Sequence, residues 1–122
     1  MPYRKTTAPS RLALLLGVSA AAFAAGSPAL AQDATWLGVT GAFGTGSNWL
    51  GGVVPSGTAT FGATGATAVT TVNQTLGGFT FAAGASAYTF GMGGSLGFIG
   101  AGIVNNSGQI PTLNNSGTLA FL

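Results

Sequence analysis

The sequence predicts an all-β protein: a glycine-rich parallel β-helix, or solenoid, that starts under a tryptophan-containing cap and is preceded by a signal-peptide helix. Three observations support this fold class. Glycine makes up 22 of the 122 residues, and each glycine in a helix interior costs about 1 kcal/mol. Large apolar residues alternate with small ones in short bursts, as a half-buried strand requires. These bursts recur every eight or nine residues, a spacing typical of short strands joined by turns.

Residues 1–31 have the layout of a secretory signal peptide. All three basic side chains lie at or before Arg11, and an uncharged apolar stretch, Leu12–Ala25, follows them. This stretch is shorter than the ~20 residues that span a bilayer. Ala29-Leu30-Ala31 supplies the small residues of a signal-peptidase site, so we predict cleavage between Ala31 and Gln32. The layout therefore predicts that the mature chain, Gln32–Leu122, is exported.

The composition after the leader offers few groups that carry chemistry. The chain has no cysteine or histidine, which excludes disulfides and the thiol and imidazole ligands of metals. Asp33 is the only acidic residue, and no Lys or Arg follows Arg11, so a basic nucleic-acid surface is excluded. General acid–base catalysis needs a positioned titratable group, and a lone carboxylate cannot form a catalytic pair. We therefore predict no enzymatic activity, no cofactor and no metal.

Residues 32–62 are predicted to form the N-terminal cap. The first coil of a solenoid exposes apolar surface and unpaired strand edges, which a cap must cover. Trp36, Trp49, Pro55 and Phe61 are the predicted structural cap residues, because indole rings in particular supply a large apolar area. The alternative interpretation is a glycan-binding surface in which the two tryptophans stack on sugar rings.

Residues 63–122 are predicted to be incomplete solenoid repeats, after a first rung that starts at Thr58. Three strand-and-turn units of eight or nine residues give a coil of roughly 26 residues, within the range of structural repeats. The clearest bursts are Phe79-Thr80-Phe81, Tyr88-Thr89-Phe90, Leu96-Gly97-Phe98 and Leu119-Ala120-Phe121. The predicted inward-facing core consists of Phe61, Val72, Phe79, Phe81, Phe90, Phe98, Ile103, Leu113 and Phe121.

Two features of this region have alternative interpretations. The tetrapeptide NNSG occurs at 105–108 and again at 114–117, and Asn pairs favour turns. Stacked Asn side chains could instead form a ladder of amide hydrogen bonds. Ala85–Val104 carries no charge and is long enough to span a bilayer, but its glycines and its period-two alternation favour strands over a membrane helix.

The cap and the first repeats resemble the start of the passenger regions of large bacterial autotransporters that carry autotransporter-associated β-strand repeats (type V secretion). The motifs that carry the resemblance are Thr35–Gly38, Asn48-Trp49, Gly52, Pro55, Gly57, Ala59–Gly62 and the repeat-like stretch 77–108. The resemblance covers essentially the whole chain after the leader. It implies a right-handed parallel β-helix passenger that is exported to the periplasm, the outer-membrane surface or the medium of a Gram-negative bacterium.

The chain departs from that family pattern in two places. Residues 38–47 lack an additional Asp-Trp pair, and no C-terminal translocator barrel follows, which would need at least about eight strands. We therefore expect the truncated front end of a longer protein: a non-enzymatic, exported structural segment that starts a passenger stalk. The expected partners are the export machinery of the inner membrane and a translocator barrel absent from this chain. An adhesin module with a surface glycan or host contact is the alternative.

Overall fold

The structure, a computed structural model, describes residues 30–122; the predicted signal-peptide helix lies outside them. The described part is all-β, apart from a 3-10 helix at Gly46–Asn48. The strands are β1 (Ala34–Thr35), β2 (Thr58–Phe61), β3 (Ala68–Thr71), β4 (Gln74–Phe81), β5 (Thr89–Met92), β6 (Leu96–Asn105), β7 (Thr112–Asn115) and β8 (Leu119–Phe121). Each of the four apolar bursts predicted from the sequence lies in or beside one of these strands.

The strands stack in parallel, and this confirms the predicted solenoid. One sheet has five strands in the order β1-β2-β4-β6-β8, and the other has three in the order β3-β5-β7. Every strand pairs in parallel with the equivalent strand one coil away. The chain winds through about four turns. Thr58 begins β2, which is the first full rung, as predicted.

Two long strands bend and so serve two faces of the coil. The register between β4 and β6 shifts between Leu76 and Gly78. Beyond the bend, β4 pairs with β2 and with the end of β6, whereas the start of β6 pairs with β8. Each full coil therefore has three strand segments, two joined by the bend and one in the three-stranded sheet.

The predicted coil length of roughly 26 residues is wrong, because the coil is shorter. Paired residues in adjacent coils are 25 positions apart at Ala34 and Ala59, 20 apart at Thr58 and Gly78, and 23 apart at Thr89 and Thr112. In β4 and β6 the chain passes between two faces through a bend, without a separate turn. The nine-residue spacing of the NNSG tetrapeptides therefore links different faces, not equivalent positions in successive coils.

The core is a column of aromatic and aliphatic side chains inside the coils. The predicted core residues that are fully buried are Phe61, Phe79, Phe81, Phe90 and Phe98. Ile103 and Leu113 are partly buried against them. The prediction is wrong for Val72 and Phe121, each 63% exposed. Val72 follows inward-facing Thr71 and so points outward, and Phe121 lies on the last rung, where no described coil covers it.

Asn105 and Asn115 are the last residues of β6 and β7, and the side chain of each holds the turn that follows its strand, whereas Asn114 pairs within β7. Asn105 Oδ1 accepts a hydrogen bond from Ser107 N at 3.0 Å, and Asn115 Oδ1 accepts one from Gly117 N at 2.7 Å. No hydrogen bond joins two Asn side chains within residues 30–122, so the alternative amide ladder is not formed there. The stretch Ala85–Val104 contains β5 and most of β6, and the described residues include no helix long and apolar enough to cross a membrane.

Two backbones approach closely at Gly78, which explains why this position is a glycine. The contrast with Gly91 predicts opposite effects of alanine at the two positions. A Cβ atom on Gly78 would collide with the carbonyl oxygen of Gly102 in the next coil, whereas a Cβ on Gly91 would meet nothing within 4 Å. We expect Gly78→Ala to lower the free energy of unfolding by about 1–3 kcal/mol. Gly91→Ala should raise it by about 0.4–1 kcal/mol, through the unfolded state. Urea unfolding measures both, and equal effects would contradict this packing.

Candidate functional site

The most elaborate local structure lies at the start of the stack, where residues 41–50 form what we call the cap loop. On one side, Leu50 N donates to Thr35 O at 2.9 Å and so covers the outer edge of β1. On the other side, Phe43 N donates to Thr70 O at 3.0 Å and covers the outer edge of β3. One loop therefore satisfies the first edge of both sheets.

Aromatic rings fill the space under the cap loop. Trp36 and Trp49 meet edge to face with their ring centroids 4.9 Å apart, and Phe43 packs on Trp49 at the same distance. Phe61 lies beneath both indoles, at 5.8 Å from each. Such pairs contribute roughly 0.5–1.5 kcal/mol each beyond area burial, so the cap and the core form one packed unit.

Both indole N–H groups are satisfied inside the protein. Trp36 Nε1 donates to Ala66 O at 2.9 Å, and Trp49 Nε1 donates to Phe43 O at 2.8 Å. The two side chains are only 2% and 1% exposed. An indole that stacks on a sugar must present a ring face to solvent, so neither ring is available for that contact in this conformation.

Asn48 completes the cap loop, and the sequence analysis missed it. Its side chain is fully buried. Its Nδ2 donates to Thr40 Oγ1 and to Ala42 O, both at 2.8 Å, and its Oδ1 accepts from Thr40 N at 2.7 Å. A buried amide with these partners satisfied fixes the loop geometry. The signal in the sequence was its position next to Trp49, which we used only as part of a family motif.

The remaining predicted site residues lie at the start of the described fold. Gln32 O accepts hydrogen bonds from Ser56 N at 3.0 Å and from Gly57 N at 2.7 Å, so the first residue after the predicted cleavage site is already anchored. Ala31, before the cut, is exposed. Pro55 is buried close to this anchor.

Among residues 30–122, only Asp33 and Tyr88 have titratable side chains. Asp33 Oδ1 accepts a hydrogen bond from Thr58 N at 2.7 Å, which ties it to the start of β2. The Tyr88 hydroxyl donates to Gly62 O at 2.8 Å and also lies 3.2 Å from Thr64 O, and burial raises the pKa of its phenol. The described residues contain no cluster of three His, Cys, Asp or Glu that could hold a metal.

A groove of about 750 Å³ runs across three coils on the three-stranded sheet. It is lined by Thr70–Val72, Gly91–Gly93 and Asn114–Ser116. No charged or titratable side chain lines this groove. The Ser116 hydroxyl already donates a hydrogen bond to Met92 O at 2.8 Å. The groove therefore supplies no acid, base or nucleophile activated by a neighbouring group.

No family model matches this chain, and no curated protein or solved structure is significantly similar to it. The resemblance to autotransporter passengers therefore stays a prediction from motifs. The structure independently shows the parallel β-solenoid and its aromatic cap.

The packing of the cap predicts that alanine substitutions at the adjacent residues Trp49 and Leu50 lower the free energy of unfolding by very different amounts. Trp49→Ala removes a buried ring and the bond to Phe43 O, so we expect the free energy of unfolding to fall by about 3–5 kcal/mol. Leu50→Ala changes a neighbouring side chain that is 63% exposed, and its effect should stay within about 0.5 kcal/mol. Chemical denaturation followed by circular dichroism measures both. Two similar small effects would show that the cap does not hold the stack closed.

The Tyr88 phenol predicts a loss of stability at alkaline pH. Its pKa in the folded state lies above the ordinary value of 10.0, so above that pH the unfolded state loses its proton first. The contribution of Tyr88 to stability therefore does not change with pH below pH 10, and it falls as the pH rises further. Tyr88→Phe should lower stability at neutral pH by about 1 kcal/mol, through the lost hydrogen bonding, but should remove the alkaline fall. Unfolding at pH 7 and pH 11 compares the two chains, and parallel falls in both would contradict this role.

Proposed function

We propose that the chain is an exported, non-enzymatic structural segment that begins the passenger stalk of an autotransporter at a bacterial cell surface. The observation that carries the proposal is the closed start of the solenoid. The cap loop covers the first edge of both sheets, and Trp36 and Trp49 continue the core up to that boundary. A stalk built by stacking coils needs such a defined first coil, because an uncovered end pairs with other chains.

The chemistry of the described residues favours a structural role over catalysis. Asp33 and Tyr88 each make hydrogen bonds that hold neighbouring coils together. General acid–base and nucleophilic mechanisms need a titratable group placed beside a second functional group. The uncharged groove on the three-stranded sheet offers no such pair. The proposal therefore assigns these two side chains to packing.

The anchoring of Gln32 supports export with removal of the leader. Its backbone carbonyl accepts two hydrogen bonds from residues 56 and 57, and its N–H donates to Ser56 Oγ at 3.1 Å. A cut before this residue would leave all of these contacts within the mature chain. A chain without cysteine also crosses a membrane without forming disulfides on the way, and the proposed partner for that step is the inner-membrane export machinery.

The proposal predicts a defined processed product. Expression in a Gram-negative bacterium should give a chain outside the cytoplasm that starts at Gln32, as read by intact mass and N-terminal sequencing. Ala31→Lys replaces a small residue at the cleavage site and should leave the leader attached. Leu30→Lys, at the tolerant central position of the same motif, is the matched control and should be cut normally. A full-length wild-type chain in the cytoplasm would refute export.

A further inference from the structure

The first residue of the proposed mature chain is a glutamine, Gln32, whose two nitrogen-bearing groups lie in one residue. Before cleavage its backbone nitrogen is an amide, which is a poor nucleophile. Cleavage after Ala31 converts it to a free α-amino group, whose ordinary pKa of about 8 leaves part of it uncharged and nucleophilic at neutral pH. The side-chain carboxamide of the same residue then meets this amine at a high effective concentration, because both belong to one short, flexible segment.

The fold holds the main chain of Gln32 and leaves its side chain free. Gln32 O accepts hydrogen bonds from Ser56 N at 3.0 Å and from Gly57 N at 2.7 Å, and Gln32 N donates to Ser56 Oγ at 3.1 Å. Gln32 is an exposed residue, and its carboxamide makes no hydrogen bond within residues 30–122. A ring of N, Cα, Cβ, Cγ and Cδ closes by rotation about side-chain bonds alone, so the anchored carbonyl group stays in place.

We propose that Gln32 is a modification site, at which the newly cut amino terminus cyclises to pyroglutamate. The α-amino nitrogen attacks Cδ and forms the N–Cδ bond of a lactam. The Cδ–Nε2 bond breaks, and Nε2 takes one proton from the α-nitrogen and leaves as ammonia. The step needs no oxidant and no second substrate. The lactam nitrogen keeps one hydrogen, so it still donates to Ser56 Oγ, and the product retains all three anchoring bonds.

The modification removes the one cationic group of the mature chain. No Lys or Arg follows Arg11, and the sequence has no His, so the α-ammonium group of Gln32 is the only cation of residues 32–122. The neighbouring carboxylate, Asp33, already accepts a hydrogen bond from Thr58 N at 2.7 Å. Loss of a terminal charge changes recognition of the terminus. Aminopeptidases require a free α-amino group, so the lactam protects the anchored start of the solenoid from digestion outside the cytoplasm.

This inference rests on the proposed export and cleavage, and peptide masses separate the two. The chain recovered after export is incubated at neutral pH for several days, denatured and digested with chymotrypsin. Tandem mass spectrometry is the readout, because a lactam blocks chemical sequencing from the amino end. The peptide 32–36 should become lighter by the mass of one ammonia molecule. Gln74 and Gln109, whose backbone nitrogens are amides, should keep their mass.

Two variants serve as matched controls. Gln32→Glu keeps the length of the side chain but replaces the carboxamide by a carboxylate, which resists attack by an amine, so its peptide should keep its mass. Ala31→Lys, in which the leader stays attached, leaves the nitrogen of residue 32 as an amide, and this chain should lose no ammonia there. The cyclised wild-type chain should unfold at the same urea concentration as the freshly recovered one, because the bonds to Ser56 and Gly57 are kept.

The possible results distinguish the two proposals. A chain cut before residue 32 that keeps its ammonia there overturns the cyclisation and leaves export standing. So does a chain that loses ammonia only elsewhere, for instance at Asn106-Ser107, where an asparagine forms a succinimide. A lower urea midpoint after cyclisation would show that the fold does not accommodate the ring and would also overturn the inference. A chain that keeps residues 1–31 overturns both proposals.

Discussion

A stack of parallel strands leaves a row of unpaired backbone groups at each end, and the rest of this structure depends on how the first row is covered. A buried N–H or C=O without a partner costs about 1–3 kcal/mol. The cap loop supplies partners to β1 and β3 from a single segment, held in place by the buried amide of Asn48. Because both sheets are closed at the same level, the register of every later coil follows from that starting point.

Aromatic packing takes the place that ion pairs and disulfides hold in many small proteins. The rings form a continuous series from the two tryptophans through Phe61 to Phe79 and Phe98, with neighbouring centroids 4.9–5.8 Å apart. Rings of this size fit only if the backbones around them stay close, and glycines such as Gly78 permit that approach. The large aromatic side chains in the core and the glycines in the surrounding strands therefore depend on each other.

The sequence predicted the fold class and the strands well because one physical signal, period-two alternation, marks both. Phe79-Thr80-Phe81 and Leu96-Gly97-Phe98 each place two inward side chains on a strand, and both bursts lie in β4 and β6. The coil length could not be predicted in the same way. Alternation does not reveal that β6 bends from one face of the coil to the next. This bend replaces one of the three turns in the predicted coil of three strand-and-turn units.

The candidate site was harder to predict, because its key contacts join residues that carry no local pattern. Phe43 and Asn48 lie in a stretch that resembles an ordinary glycine-rich loop, yet Phe43 O accepts the Trp49 indole N–H and Asn48 holds the loop closed. Their roles depend on long-range edges that exist only once the coils have stacked. The prediction that Val72 faces the core was wrong for a related reason. The turn after Thr71, and not the residue type, decides which side chains point inward there.

The described part of the solenoid has one charged side chain, Asp33, and buries both tryptophans. Specific contacts through ions or aromatic stacking need exposed charges or ring faces, and between Ala34 and Leu122 the only exposed large ring is that of Phe121. The rest of the described surface exposes large aliphatic side chains, such as Val39, Ile99 and Ile110, and short neutral side chains along the groove. The cap loop removes the first edge of each sheet from pairing with another strand.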